Sequence, residues 1–169
     1  MTVFQTVLAI CYLKKNPSDL PYSYQWFAFF LCVNLFLYAF VGKFFPTPQL
    51  AYVFVAHLLL QMGLFWGVMR YYGYANRWLK SLMAVLSTRL CILLITFAVG
   101  ILLQSAPSML MFIFGVAAIW FLVVLGHIMR CTLDVPLSKG VLWAIAVDML
   151  SNILVSAFFQ DSLDWLGAN

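Results

Sequence analysis

Glutamate is absent from this chain, and charge of either sign is scarce. Only 8% of the 169 residues are charged, nine Lys or Arg against five Asp, whereas 66% are hydrophobic and 18% are aromatic. A soluble domain carries about a quarter charged residues. This composition excludes an ordinary water-soluble domain and predicts that lipid surrounds most of the chain. The net charge of +4 comes from basic residues between apolar runs, where they set topology, so no nucleic-acid partner is expected.

The motifs of metal, redox and nucleotide chemistry are also missing. None of the four cysteines forms a C-x-x-C pair, and no Gly-rich phosphate loop, H-E-x-x-H or nucleophile elbow occurs. The predicted depths of His57 and His127 differ by about 15 Å, which argues against a bis-histidine haem. We therefore expect no metal, no cofactor and no enzymatic activity.

Long apolar runs define the fold class. A helix needs about 20 apolar residues to cross the hydrocarbon. Five runs meet this length and predict an all-α, polytopic bundle of five transmembrane helices, at 26–44, 50–69, 81–103, 108–129 and 140–159. Prolines separate the first two runs (Pro46 and Pro48) and the third from the fourth (Pro107), so both connections are predicted to be tight hairpins.

The first residues predict a different element. Val3, Phe4, Val7, Leu8 and Cys11 recur at helical spacing, but the stretch is too short to span. We expect a short amphipathic helix lying along the membrane surface. The predicted organisation is thus an N-terminal cytoplasmic segment at 1–25, a five-helix transmembrane domain at 26–160 and a short non-cytoplasmic tail at 161–169.

Basic residues set the predicted orientation. With the N-terminus in the cytoplasm, seven basic residues fall on the cytoplasmic side, Arg89 falls inside the third span and only Lys43 falls outside. The tail carries Asp161 and Asp164 and no base. By the positive-inside rule, we expect a multi-pass membrane protein with its N-terminus in the cytoplasm and its C-terminus on the far side.

The pattern Asp-x-Pro-x-Ser occurs twice, before the first and before the fifth predicted span. Asp19, Pro21 and Ser23 form one copy, and Asp134, Pro136 and Ser138 form the other. Proline disfavours helix in the preceding residue, serine caps a new helix, and aspartate is favourable near a helix N-terminus. Two interpretations stay open: two independent helix starts, or neighbouring cytoplasmic mouths forming one patch with Arg130 and Lys139.

A family resemblance rests on the stretches around these motifs. NPSDLPYS and GHIMRCTLDVPLSKGVLWAI resemble small, uncharacterised proteobacterial inner-membrane proteins that are loosely similar to the Yip1-type five-span fold. The resemblance implies a multi-pass protein of a bacterial inner membrane with five spans, a cytoplasmic N-terminus and a short far-side tail, which places the C-terminus in the periplasm. It attaches no reaction, and the trafficking role of the eukaryotic Yip1 proteins, which have a long polar N-terminal domain, is not implied.

Two charges lie at membrane depth. Arg89 follows Lys80 by nine residues and Asp148 follows Lys139 by nine, which places both about 13 Å from the cytoplasmic side. Intramembrane charges usually face the protein interior or water. We predict an Arg89–Asp148 pair, acting as a structural tie or in an ion or proton path. If the two do not meet, Arg89 snorkels to the interface.

Further polar residues are expected to face the bundle. His57 and Gln61 are four residues apart and share a helix face, as do Asp148, Ser151 and Asn152 on the fifth span. Interhelical hydrogen bonding is the simplest role for this polar stripe, and lining a small cavity is the alternative.

Two functions fit this pattern. The first is a non-enzymatic scaffold, assembly factor or accessory subunit that uses the N-terminal helix and the basic cytoplasmic surface. Its expected partners are the lipid bilayer, anionic lipid at the cytoplasmic face, and a protein partner or further copies of the chain. The alternative is a subunit of a small oligomeric transporter or channel with an Arg89/Asp148 polar path.

Overall fold

The protein is a bundle of helices in the computed structural model, which describes the backbone of residues 2–44, 49–103 and 107–167 and most of their side chains. The α-helices are α1 (Val3–Cys11), α2 (Tyr24–Phe44), α3 (Gln49–Tyr71), α4 (Trp78–Leu102), α5 (Pro107–Leu133) and α6 (Leu137–Gly167). Short 3₁₀ helices, Pro17–Asp19 and Ala75–Arg77, precede α2 and α4. No strand occurs in these ranges.

The prediction of an all-α membrane bundle is confirmed. Four stretches, 52–71, 75–102, 111–133 and 137–159, are long and apolar enough to cross a membrane, and residues 24–40 of α2 form a shorter apolar helix. The α2 backbone stays helical to Phe44, which gives a length of about 31 Å. The chain is therefore a multi-pass membrane protein. Pro46 and Pro48, and the side chains of Lys43, Asp161 and Asp164, lie outside the described residues.

α4 is the central helix. Its first half is almost wholly buried, from Leu79 to Leu90 apart from Lys80 and Arg89, and it packs on α2, α5 and α1. α5 and α6 form the most extensive helix pair, while α3 packs on α6 and α2. The bundle end that carries the α3–α4 and α5–α6 turns also receives the segment between α1 and α2. We call it the inner end.

The N-terminal helix packs on the bundle more closely than a surface helix would. A capping box between Thr2 and Gln5 starts α1, and Val7, Ile10 and Cys11 are buried against the core. Phe4 and Leu8, which the sequence pattern assigns to the same face, are about half exposed, and Phe4 contacts the Trp26 ring edge-on at 5.8 Å. The buried face is thus rotated relative to the predicted one, because α1 docks on α4 and α5.

The two Asp-x-Pro-x-Ser motifs have different structures. At the first, α2 begins directly after Ser23, whose hydroxyl accepts a hydrogen bond from Trp26 N at 3.4 Å, as expected of a cap. At the second, α6 begins at Leu137, one residue before Ser138, so the prediction that Ser138 caps the helix is wrong. Asp134 instead ends α5 in the left-handed conformation (φ 52°), and Val135 N bonds the Arg130 carbonyl.

The last helix runs past the end of the predicted span. The span was expected to finish at Phe159, and that residue has non-helical dihedrals (φ −117°, ψ 18°) that kink the chain. The helix then continues to Gly167, so most of the predicted tail has a helical backbone.

Candidate functional site

Four polar side chains from three helices meet inside the bundle, and we call them the polar cluster: His57 and Gln61 of α3, Arg89 of α4 and Asp148 of α6. Arg89 Nη1 donates to Gln61 Oε1 at 2.7 Å, and Arg89 Nη2 lies 3.2 Å from His57 Nδ1. Gln61 Nε2 donates to Asp148 Oδ1 at 3.1 Å. α3 therefore supplies the residues that connect α4 to α6.

The predicted direct contact between Arg89 and Asp148 is replaced by a bridge. Among the described residues no hydrogen bond or ion pair joins the two, and Gln61 links them with its carbonyl on one side and its amide on the other. Both charged side chains bond the same glutamine, so they lie at a similar level of the bundle. They are separated because α3 lies between them at this level, which charge spacing alone does not show.

The tautomer of His57 follows from its partner. A guanidinium has only donors, so His57 Nδ1 must accept from Arg89, and the ring proton of neutral His57 lies on Nε2. That buried Nε2 has no hydrogen-bond partner and lies 4.0 Å from Asp148 Oδ1. The ring therefore points its proton towards the carboxylate without closing a hydrogen bond.

Arg89 also contacts two aromatic rings. Its guanidinium carbon lies 5.4 Å from the Tyr38 centroid and 5.8 Å from that of Phe121, distances at which a cation is attracted by a ring face. A cavity of about 430 Å³ opens beside the arginine. Arg89 and Asp148 are its charged lining residues, and the other walls come mainly from apolar side chains of α4 and α5.

The remaining polar stripe residues bond mainly within their own helix. Ser151 Oγ is buried and donates to the Val147 carbonyl at 2.6 Å. Asn152 is exposed and donates to the Asp148 carbonyl at 2.9 Å and to its carboxylate at 3.3 Å. Asn152 therefore contributes to holding Asp148, whereas Ser151 does not join the cluster.

A second polar region lies at the inner end, where the two motif-bearing segments are neighbours. Both segments contribute to the wall of a single pocket of about 410 Å³, which we call the inner pocket: Asn16, Pro17, Ser18 and Tyr22 from the first, and Cys131, Thr132 and Asp134 from the second. Arg77 Nη1 donates to Asp134 Oδ2 at 2.8 Å and to the Thr132 carbonyl at 3.1 Å. Lys80 Nζ donates to the Ser18 carbonyl at 2.9 Å.

The basic residues of this pocket differ from those expected. Arg130 and Lys139 are exposed and do not line it, whereas Arg77 and Lys80 do. The motif residues Asp19, Pro21, Ser23, Pro136 and Ser138 also lie off its wall, although Asp134 lines it. Asp19 instead accepts from Asn16 N at 3.3 Å and closes the 3₁₀ turn. The 3₁₀ helix before α4 and the first turn of α4 therefore supply the two basic residues of the inner pocket, Arg77 and Lys80.

His127 holds the segment that follows α1. Its Nε2 lies 3.0 Å from the Lys15 carbonyl oxygen, so this nitrogen carries the proton and donates. Cys131 Sγ bonds Asn16 Oδ1 at 3.1 Å in the same region. The two histidines thus have separate partners, and no group of three His, Cys or Asp side chains in the described ranges is placed to hold a metal ion.

None of three comparisons of this chain with known proteins gives a match. No protein-family model matches it, and no similar chain is found among curated proteins or solved structures.

Proposed function

We propose that this chain is a non-enzymatic multi-pass protein of a bacterial inner membrane, with its N-terminus in the cytoplasm and a scaffold, assembly or accessory-subunit role. The inner end then faces the cytoplasm, in line with the excess of basic residues there. The resemblance to Yip1-like five-span proteins supports the same topology and remains a prediction.

The observation that carries this proposal is the network of hydrogen bonds and ring contacts within the polar cluster. Gln61 bonds both charged residues, and Arg89 is further held by His57 and two rings. Residues held by one another in this way fix the relative positions of α3, α4 and α6. A rigid bundle with a polar inner end suits a protein that positions a partner at the membrane.

Topology is tested with fusions to each terminus. Alkaline phosphatase is active only on the periplasmic side, so it should be active at the C-terminus and inactive at the N-terminus, and a fluorescent reporter should give the reverse pattern. Equal phosphatase activity at both ends would overturn the proposed orientation.

The scaffold role is tested by native mass spectrometry of the complex extracted in mild detergent, together with flux measurements in proteoliposomes. We expect a stoichiometric partner that remains bound to both wild type and Asp148→Asn, and ion flux equal to that of empty vesicles. A monomer without a partner in every detergent tested would contradict the proposal.

A second candidate, a subunit of an oligomeric transporter or channel, is favoured by the cavity beside the cluster. Arg89 and Asp148 both line that 430 Å³ space, so a solute or proton could reach them. Proton or ion flux in proteoliposomes that is lost in Asp148→Asn and kept in Ser151→Ala, at a residue of the same helix that does not join the cluster, would establish this candidate and exclude a purely structural cluster.

A further inference from the structure

We propose that the inner pocket binds a phosphodiester monoanion whose other substituent carries hydroxyl groups. This chemistry is found in the headgroup of a glycerol-based anionic phospholipid and in soluble glycerophosphodiesters. The inference deepens the proposed function, because it names the anionic ligand of the inner end and relies on that end lying at the membrane interface.

The pocket has the size and composition of a small polar binding site. Its volume of about 410 Å³ falls in the range of ordinary ligand pockets. Segments from three parts of the chain form it: the loop before α2, the start of α4 and the end of α5. Its lining residues are mostly polar: Asn16, Pro17, Ser18, Tyr22, Asn76, Arg77, Lys80, Ser81, Cys131, Thr132 and Asp134.

Both cations of the pocket are already held in position. Lys80 uses one of its three N–H donors on the Ser18 carbonyl. Arg77 uses Nη1 for its two bonds and lies over the Tyr74 ring at 4.5 Å. The described contacts do not use all the N–H groups of these two side chains, and the remaining ones can donate to an anion. Because these side chains are fixed beforehand, they lose less conformational entropy when an anion binds.

The charge balance selects a monoanion. Arg77 and Lys80 contribute two positive charges to the wall and Asp134 one negative charge, which leaves a net charge of +1. A phosphodiester carries one negative charge and matches this balance, whereas the carboxylate would repel a dianionic phosphate. Asp134 also provides an acceptor for hydroxyl groups, and the hydroxyls and amides of Ser18, Asn16 and Asn76 can bond phosphate oxygens.

The location of the pocket suits a lipid headgroup. Tyr22 and Tyr24 contact each other edge-on at 5.7 Å and both are more than half exposed beside the pocket. Exposed tyrosines are typical of the membrane–water interface. An anionic headgroup in the inner pocket would leave its acyl chains free to enter the bilayer.

The test uses the full chain in phosphatidylcholine nanodiscs, with phosphatidylglycerol or soluble glycerophosphoglycerol as probe. We expect saturable binding of one phosphodiester to wild type, about tenfold weaker binding to Lys80→Gln because one charge-assisted hydrogen bond is lost, and recovery in Lys80→Arg. Lys139→Gln, which removes an exposed lysine outside the pocket, should change affinity by less than about twofold.

Each outcome decides between alternatives. Saturable binding of phosphatidylglycerol alone identifies the lipid as the source, and equal binding of the soluble diester identifies a free ligand. No saturable binding of either probe, or equal weakening in Lys80→Gln and Lys139→Gln, overturns the proposal. Helix content measured by circular dichroism shows whether Lys80→Gln is folded. Flux or a missing partner would contradict the proposed function alone, since neither measurement depends on the phosphodiester.

Discussion

Gly140 of α6 lies so close to Gly126 of α5 that a Cβ atom on Gly140 would be 2.5 Å from the Gly126 carbonyl oxygen. The same Cβ would lie 2.8 Å from Arg130 N, so the obstacle is backbone that cannot rotate away. Small residues allow membrane helices to approach in this way. The close approach holds the α5–α6 hairpin, which carries Asp134 and Asp148 to their respective sites.

Replacing Gly140 by alanine should therefore destabilise the bundle. Overpacking of this kind costs about 1–3 kcal/mol, even though alanine favours a helix. The free energy of unfolding in mixed detergent measures the effect. Gly115→Ala is the matched control, since a Cβ at Gly115 would meet nothing within 4 Å. Equal stability of the two variants would contradict the close packing.

Neutralising both charges of the polar cluster should lower the free energy of unfolding by less than the two single changes added together. Asp148→Asn removes the negative charge of the cluster, and loss of one partner from a fully buried, direct ion pair costs about 3–5 kcal/mol. A smaller loss is expected here because Gln61 stands between the two charges and Asp148 is 25% exposed. The double variant Arg89→Gln/Asp148→Asn should be more stable than the sum of the single changes predicts.

Charge exchange gives a sharper test of the Gln61 bridge. The Gln61 amide can rotate to present its carbonyl to α6 and its N–H to α4, so Arg89→Asp/Asp148→Arg should recover part of the lost stability. The same exchange with Gln61→Leu should recover less. If Gln61→Leu has no influence on the recovery, the charges do not communicate through this residue.

Two substitutions at His57 distinguish its ring nitrogens. Asparagine places an oxygen near the position of Nδ1, whereas glutamine reaches towards the position of Nε2. Since Nδ1 is the acceptor for Arg89, His57→Asn should be more stable than His57→Gln by about 1 kcal/mol, the value of one hydrogen bond. Thermal unfolding compares the two. The opposite order would assign the Arg89 contact to the other nitrogen.

Loss of the His127 hydrogen bond should loosen the segment after α1. In His127→Leu the Lys15 carbonyl loses its donor, so trypsin should cleave after Lys14 or Lys15 several-fold faster under native conditions. Glutamine can place an N–H near the position of Nε2, and His127→Gln serves as the control with near wild-type cleavage. Identical rates for both variants would show that this bond does not hold the segment.

Cys11 should react slowly with alkylating agents. A hydrogen bond with Cys91 and burial raise the pKa of the Cys11 thiol, so less thiolate is present at any given pH and alkylation needs a more alkaline solution. Cys91→Ala should lower that pKa and move the pH–rate curve to lower pH. Cys32→Ala should leave the curve unchanged. Peptide mass spectrometry after timed iodoacetamide exposure measures the rates.

The sequence allowed the helices to be placed, because length and apolarity suffice to identify a membrane span. It also placed Arg89 and Asp148 at matching depth. It could not show that Gln61 bridges them, since residue spacing gives depth along a helix but not how neighbouring helices are rotated. His57 and Gln61 were identified as one face, and only the packing of α3 on α6 shows which partners that face meets.

The repeated Asp-x-Pro-x-Ser motif shows a second structural feature that could not be predicted from the sequence alone. Five similar letters formed a helix cap at Ser23 and a helix end at Asp134, because the preceding chain differs: Pro17 starts a 3₁₀ turn before the first copy, and the long helix α5 runs up to the second. The local sequence preferences are similar at both sites, but the structure that precedes each motif determines whether the motif starts or ends a helix. The basic residues of the inner pocket were missed for a similar reason, since Arg77 and Lys80 are remote from both motifs in sequence.

The docking of the N-terminal segment has a consequence for biosynthesis. The Lys15 carbonyl and the Asn16 side chain bond partners that follow them by 112 and 115 residues. At a ribosomal rate of about 5–20 residues per second, those partners emerge about 6–23 s later. Until α4 and α5 have been made, α1 lacks the helices on which it packs in the finished bundle, so Val7 and Ile10 reach their native contacts only after chain that is synthesised much later has been inserted.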